Sequence, residues 1–286
     1  MTFEEWVPLY LSLYKRKAKP KTKEGYSRLL HLLSPHLGPC ELFAITPDAI
    51  QAALVAIEDA TGGRQAQLAY TFVRACLSRA VRSGHIKHNP AEAVDKPEHE
   101  AQVGRAITGE DWRILEPVIA SNLAFALMGF AGLRRGEALA LCWGDIDLRA
   151  NLIHVERSLV RVDHKLQSQS TKSKAGRRAV PIAPELLPLL RAQYRFSAQQ
   201  RIIPCSPETL ARRWRSAQLA ADIDQPYRLH DLRHTYATRL ALAGCNLRVL
   251  QYMIGHSSYE LTANTYTHVT EQDALTEYNR LVSSLH

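Results

Sequence analysis

Three short stretches of this chain carry residue types that can handle charge and protons at a reacting centre. The first is Ala131-Gly-Leu-Arg134-Arg-Gly-Glu137. Gly132 can break a buried helix and let Arg134 emerge at the start of the next one. Glu137, one turn later, can then hold the guanidinium. An arginine anchored in this way is a rigid fork for phosphate oxygens, although a plain surface ion pair has the same spacing. The second stretch is Leu229-His230-Asp-Leu-Arg233-His234. On a helix His230 and Arg233 share a face, which sets proton transfer near neutral pH beside a fixed positive charge. His230 and His234 also have the spacing of a zinc-binding helix with Asp231 in place of the usual glutamate. The shorter acid reaches a bound water less well, and the intervening arginine repels a cation. The third stretch is Ile254-Gly-His256-Ser-Ser, followed ten residues later by Tyr266 in Asn264-Thr-Tyr266-Thr-His268. Gly255 can end a helix and leave His256 at the junction with a loop. Nothing local sets Tyr266 apart from Tyr252 or Tyr259.

In their order along the chain, these motifs closely resemble the signature of the tyrosine recombinase, or phage integrase, family. Flanking residues match as well: Trp143-x-Asp145-Ile-Asp147, Gly255-His256-Ser-Ser and Tyr266-x-His268-Val. The resemblance covers the second half of the chain almost end to end, and the first half is more loosely similar to the family's helical core-binding domain. It implies a site-specific recombinase or integrase that cuts and rejoins DNA through a 3′-phosphotyrosyl intermediate on Tyr266, with no metal, cofactor or ATP. Arg134, Arg233 and His256 would hold the nonbridging phosphate oxygens. His230 would assist proton removal from Tyr266, and Glu137 would orient and support.

The resemblance further implies a catalytic lysine in a β-hairpin. In Thr171-Lys172-Ser-Lys174-Ala-Gly176-Arg177-Arg178-Ala-Val-Pro181 the matching position is Lys172, suited to protonating the departing 5′-oxygen. Only three lysines follow His99, namely Lys165, Lys172 and Lys174, and Lys174 is the rival for the role. Lys174 and Arg177 would otherwise touch the DNA backbone. The implied partners are double-stranded DNA recombination sites, three further copies of the chain in a tetramer on DNA, and an accessory directionality factor. A type IB topoisomerase shares the chemistry but reseals the same strand. A DNA-binding protein that had lost catalysis would lack a nucleophile or an arginine, and none is missing here.

The elements that must position these groups can be read more coarsely. The expected fold class is mainly α with a small β-sheet in the second domain. A helical core-binding domain of the SAM-like kind would occupy residues 1–95, a linker 96–106 and a catalytic domain 107–286, together forming a C-shaped clamp on DNA. Thr22 can cap a helix through Tyr26, Leu29, Leu30 and Leu33 that ends at Gly38-Pro39. Thr46-Pro47-Asp48 is a clearer helix start. A third helix, from about Gln65 to Ser83, has Gly84 to end it. Thr108-Gly-Glu-Asp111 has the form of a capping box, and the apolar run Leu123 to Ala131 predicts a central buried helix. Leu152-Ile-His-Val-Glu, Leu159-Val-Arg-Val and Ala179-Val-Pro-Ile predict short strands, and helices resume near Glu185. After Tyr266, Ala274, Leu275, Tyr278, Leu281 and Val282 form an apolar stripe that can pack at home or dock onto a neighbouring subunit.

Composition bounds these readings. The 286 residues carry a formal charge of +8 and a pI near 9.3, a balance that favours polyanions. Lys15, Arg16, Lys17, Lys19, Lys21 and Lys23 form a basic segment between helices, and Arg64, Arg74, Arg79 and Arg82 lie on or beside the third helix. These are candidate phosphate contacts, which position a protein on DNA without reading its sequence; a solvated charged face is the plain alternative. No run approaches the ~20 apolar residues of a membrane span, and the start of the chain has no signal-peptide pattern. The five cysteines are odd in number and widely spaced, so neither a disulfide framework nor a cysteine zinc site is expected. These features predict a cytoplasmic protein that makes no use of a membrane.

Overall fold

The computed structural model describes residues 1–99, 104–162, 165–170, 176–194 and 200–255. The chain divides near residue 102 into two compact units. In the first, α1 (Phe3–Tyr14) starts at a reciprocal cap, in which Thr2 accepts from the Glu5 N–H and Glu5 accepts from the Thr2 N–H. Helix α2 (Pro20–Leu37) begins earlier than Thr22: its N-cap is Lys19, because Pro20 already has the backbone angle of a first helical residue. The basic segment is therefore not wholly a connection, since Lys21 and Lys23 lie inside α2. Helix α3 (Pro47–Thr61) starts at Thr46 as its sequence predicts, with the hydroxyl accepting from the Ala49 N–H at 3.2 Å. Helix α4 (Gly63–Arg82) is followed by Gly84 at φ +77°. Trp6, Leu33, Leu37, Ile50, Leu54, Ile57, Val73 and Leu77 interlock as the core, and the Trp6 indole donates to the Cys76 carbonyl.

The second unit is built around α6 (Leu123–Gly129), every residue of which is buried. Around it lie α5 (Gly109–Ser121), α7 (Arg135–Ala140), α8 (Leu186–Gln193) and α10 (Leu229–Leu242). The capping box expected at Thr108 does not form. Asp111 instead accepts a hydrogen bond from the Tyr227 hydroxyl at 2.6 Å, which draws the carboxylate away from the helix start. Helix α9 (Pro207–Ala220) packs its Trp214 against Phe125 of α6, with ring centroids 5.1 Å apart.

Among the described residues, five short strands follow α7. β1 (Ile146–Asp147), β2 (Leu152–Val155) and β5 (Arg178–Pro181) form an antiparallel sheet in that order, with Ile153 opposite Val180 and Val155 opposite Arg178. β3 (Arg157–Val162) pairs with β4 (Lys165–Ser170). The fold is thus mainly helical with small sheets, as the patterning implies; β1 and β4 are additions that the sequence reading did not contain. The last described helix, α11 (Leu247–Ile254), packs against α10 and β5 and ends at Gly255 in the left-handed conformation, φ +63°.

Candidate functional site

The central helix α6 ends where Gly132 turns the chain at φ +65°, and Arg134 then sits at the N-cap of α7. Gly132 has a second reason to be glycine: a Cβ there would lie 2.4 Å from the Tyr236 ring. Its carbonyl accepts from Nη1 of Arg233 at 2.7 Å, in a buried hydrogen bond. Glu137, the third residue of α7, reaches back to the Arg134 N–H at 2.9 Å and to Arg134 Nη1 at 2.7 Å. That carboxylate is buried, and Arg178 of β5 forks onto both its oxygens at 2.9 and 3.2 Å. Burial alone would raise the pKa of Glu137, but the hydrogen bonds and charges of Arg178 and Arg134 outweigh it and hold the carboxyl below its ordinary range.

Helix α10 supplies His230, Arg233 and His234. Arg233 is almost wholly buried and donates through Nη2 to the Ile254 carbonyl. The next carbonyl, that of Gly255, accepts from Nη2 of Arg134 at 2.6 Å. Two arginines 99 positions apart in sequence therefore grip adjacent carbonyls at the end of α11. His230 keeps an exposed edge, and its ring meets that of His234 edge-on at 5.1 Å. Its pKa is lowered to about 4, first by desolvation and then by His234, Arg233 and Arg134. Asp231 anchors the start of α10, accepting from the Arg228 N–H at 2.7 Å and the Arg105 N–H at 3.3 Å.

The geometry thus brings Arg134, Glu137, Arg233 and the end of α11 into one cluster, with His230 on the same helix as Arg233. His256, Tyr266, Lys172 and Lys174 lie outside the described residues, as does the stripe from Ala274 to Val282. Of the other tyrosines, Tyr236 is pushed up to about 12 by burial, while Tyr252 accepts a hydrogen bond from the Ala179 N–H at 3.1 Å. Among the described residues no group of three histidine, cysteine or acidic side chains is placed to hold a metal ion. No described helix is long and apolar enough to cross a membrane.

The candidate backbone contacts divide into two kinds. Arg16, Lys17, Lys21, Lys23, Arg64, Arg74, Arg82 and Arg177 are exposed, and Lys15 and Lys19 are half-buried. Lys21 pairs with Glu24, Arg64 bonds Gln67, and Lys15 lies over the Tyr10 ring. Arg79 differs: its guanidinium stacks 3.8 Å from the Tyr14 ring centroid and its Nε is buried. Arg178 is the functional candidate that sequence reasoning passed over. Its one local signal is alternation, since Arg178 and Val180 both face inward on a strand whose other residues do not.

Comparison with known proteins places these features in context. The phage integrase family matches residues 116–273, and the phage integrase N-terminal SAM-like domain matches residues 2–55. A tyrosine recombinase XerC-like protein of Caldanaerobacter subterraneus is 28% identical over 238 residues, covering 69% of this chain and 60% of the relative. The chain therefore spans less than two thirds of that relative's length. A putative prophage phiRv2 integrase of Mycobacterium tuberculosis is 28% identical over 263 residues, covering 86% of this chain and 69% of its own. Among solved structures, the Tn1549 transposon integrase in complex with transposon right end DNA superposes with a TM-score of 0.81 at 21% identity, covering 99% of this chain and 100% of that one. A lambda integrase tetramer bound to a Holliday junction gives 0.72 at 22% identity, covering 95% and 80%.

Proposed function

The chain belongs to the phage integrase family, and from that premise we propose that it is a site-specific recombinase that cuts and rejoins DNA through Tyr266. The observation that carries this reading is the convergence of Arg134 and Arg233 on the adjacent carbonyls of Gly255 and Ile254. Two guanidiniums so fixed suit the nonbridging oxygens of one phosphate, where negative charge grows in the transition state. Arg134, Arg233 and His256 take that role, with Glu137 orienting Arg134.

The reaction conserves its bond energy. The Tyr266 oxygen attacks phosphorus, the bond to the 5′-oxygen breaks, and a 3′-phosphotyrosyl link replaces it. His230, neutral at pH 7, accepts the phenol proton, and its lowered pKa makes it a weaker base than an ordinary imidazole. Lys172 gives a proton to the leaving 5′-oxygen. Attack by another 5′-hydroxyl reverses these steps and rejoins the strand. Tyr266, His256 and Lys172 enter this scheme on sequence alone.

Residues 1–95 serve as the core-binding domain, 96–106 as the linker and 107–286 as the catalytic domain. Exposed cations of the first unit, Arg16, Lys17, Lys23 and Arg74 among them, contact duplex phosphates. Four copies assemble on DNA, with the stripe from Ala274 to Val282 at the subunit contact. The test is covalent trapping on a nicked or phosphorothiolate-containing cognate site, comparing wild type with Tyr266→Phe. An adduct with wild type alone supports the reading. An adduct with both moves the nucleophile to another residue, Tyr259 first, and binding of the site with no adduct from either removes catalysis.

A further inference from the structure

Three arginines, not two, meet the last turn of α11, each on a different carbonyl. Arg178 Nε donates to Met253 at 2.6 Å, Arg233 Nη2 to Ile254, and Arg134 Nη2 to Gly255 at 2.6 Å. Carbonyls at a helix C-terminus lack intrahelical donors and carry the negative end of the helix dipole, so cations are well placed there. Two of the three arginines belong to the proposed phosphate-binding set. The third, Arg178, lies outside that set: its side chain is fully buried, and all three of its nitrogens are engaged within the protein. A buried guanidinium is costly unless every part of it is paired. Here Nε has the Met253 carbonyl, and Nη1 and Nη2 have the two oxygens of Glu137.

We propose that Arg178 is a positioning residue of the recombinase site, joining the Glu137 carboxylate that orients Arg134 to the helix end that Arg134 and Arg233 grip. It acts by holding two anchors in one frame: Glu137 on α7 and the 253–255 turn, after which the chain continues to His256. Arg178 also opens β5, the strand that follows the segment carrying Lys172. The inference rests on the reading of Arg134 and Arg233 as phosphate ligands.

The experiment uses the full chain with Arg178→Met, which keeps the volume, and Arg178→Lys, which keeps the charge but loses the fork. Two readouts are taken. The first is the nitrogen-15 Nε–Hε resonances of Arg134 and Arg233 without DNA, with Arg157, paired to Asp145 elsewhere in the unit, as internal control. The second is the single-turnover rate of adduct formation on a suicide duplex. Both variants are expected to move the Arg134 and Arg233 resonances and leave Arg157 in place. Arg178→Met should slow adduct formation by roughly 10²-fold, the scale of losing one transition-state donor. The double variant Glu137→Gln/Arg178→Met should lose less rate than the product of the two single losses, because Arg178 acts in part through Glu137, which also holds Arg134 directly. Unmoved Arg134 and Arg233 resonances in folded Arg178→Lys would overturn the proposal, as would rate losses that multiply. If wild type itself forms no adduct, the functional reading fails, and the resonances alone decide the positioning role.

Discussion

Glu137 is a carboxylate with almost no contact with water, held between the guanidiniums of Arg134 and Arg178. Its folded pKa is lowered, so the native state binds fewer protons than the unfolded chain as the pH drops. The stability this contributes is complete above the unfolded value of about 4.3 and is lost as pH falls through the lower folded value. Glu137→Gln leaves the buried Arg178 and the part-exposed Arg134 facing a neutral amide and is expected to cost about 3–5 kcal/mol at pH 7. The deficit should shrink at pH 3, where wild type has lost part of the same term. Thermal or denaturant melts of both proteins at the two pH values check this, and an unchanged difference would refute it. His230 gives a second test at this scale. Its imidazole should titrate well below the usual value of about 6.5, which a proton NMR titration of the free protein reads directly, and a midpoint at or above 6.5 would count against its placement. Arg134, Glu137, His230 and Arg233 were singled out in sequence by the order of their motifs and its resemblance to the phage integrase signature, since each motif alone also fits an ordinary ion pair or core histidine. Arg178 was not, since its partners Glu137 and Met253 lie 41 and 75 residues away.

At the scale of elements, the site depends on how helices end. Gly132 closes α6 at a positive φ, packs against Tyr236 and offers its carbonyl to Arg233. Gly132→Ala would combine a left-handed backbone, at about 1–2 kcal/mol, with a contact that forces Tyr236 aside, at about 1–3 kcal/mol. A loss of about 2–4 kcal/mol in denaturant unfolding is expected, together with slower strand cleavage; a loss under about 0.5 kcal/mol would mean the turn relaxes freely. Here too, legibility followed distance. The break at Gly132 and the stop at Gly255 were readable because a glycine between helical patterns has few other uses. Thr46 was readable because its cap is made within three residues. Thr108 misled because its Asp111 has a partner 116 residues away in Tyr227, and Thr22 because Pro20 starts the helix first.

For the whole molecule, the proposed function asks different things of the two units. Each hydrophobic cluster draws its residues from one side of residue 102: Phe3 to Val94 in the first unit, Ile107 to Leu232 and Tyr236 to Ile254 in the second. A unit with its own closed core has the means to fold alone. The proposed chemistry belongs entirely to the second, so the first should contribute affinity without contributing to the reaction. A fragment of residues 1–99 is therefore expected to be helical, to melt cooperatively, and to bind duplex DNA weakly and with little sequence preference. Its affinity should fall steeply with salt, because contact with phosphates releases condensed counterions. Arg16→Ala and Lys17→Ala, both at exposed positions, should each lower the salt slope by about 1 and weaken binding evenly across sequences. Gel shifts or fluorescence anisotropy over a salt series measure this directly. A slope that neither substitution changes would place the first unit's DNA contacts on another face. A fragment that stays unfolded would show that its core, though closed, is too small to offset the entropy of ordering the chain.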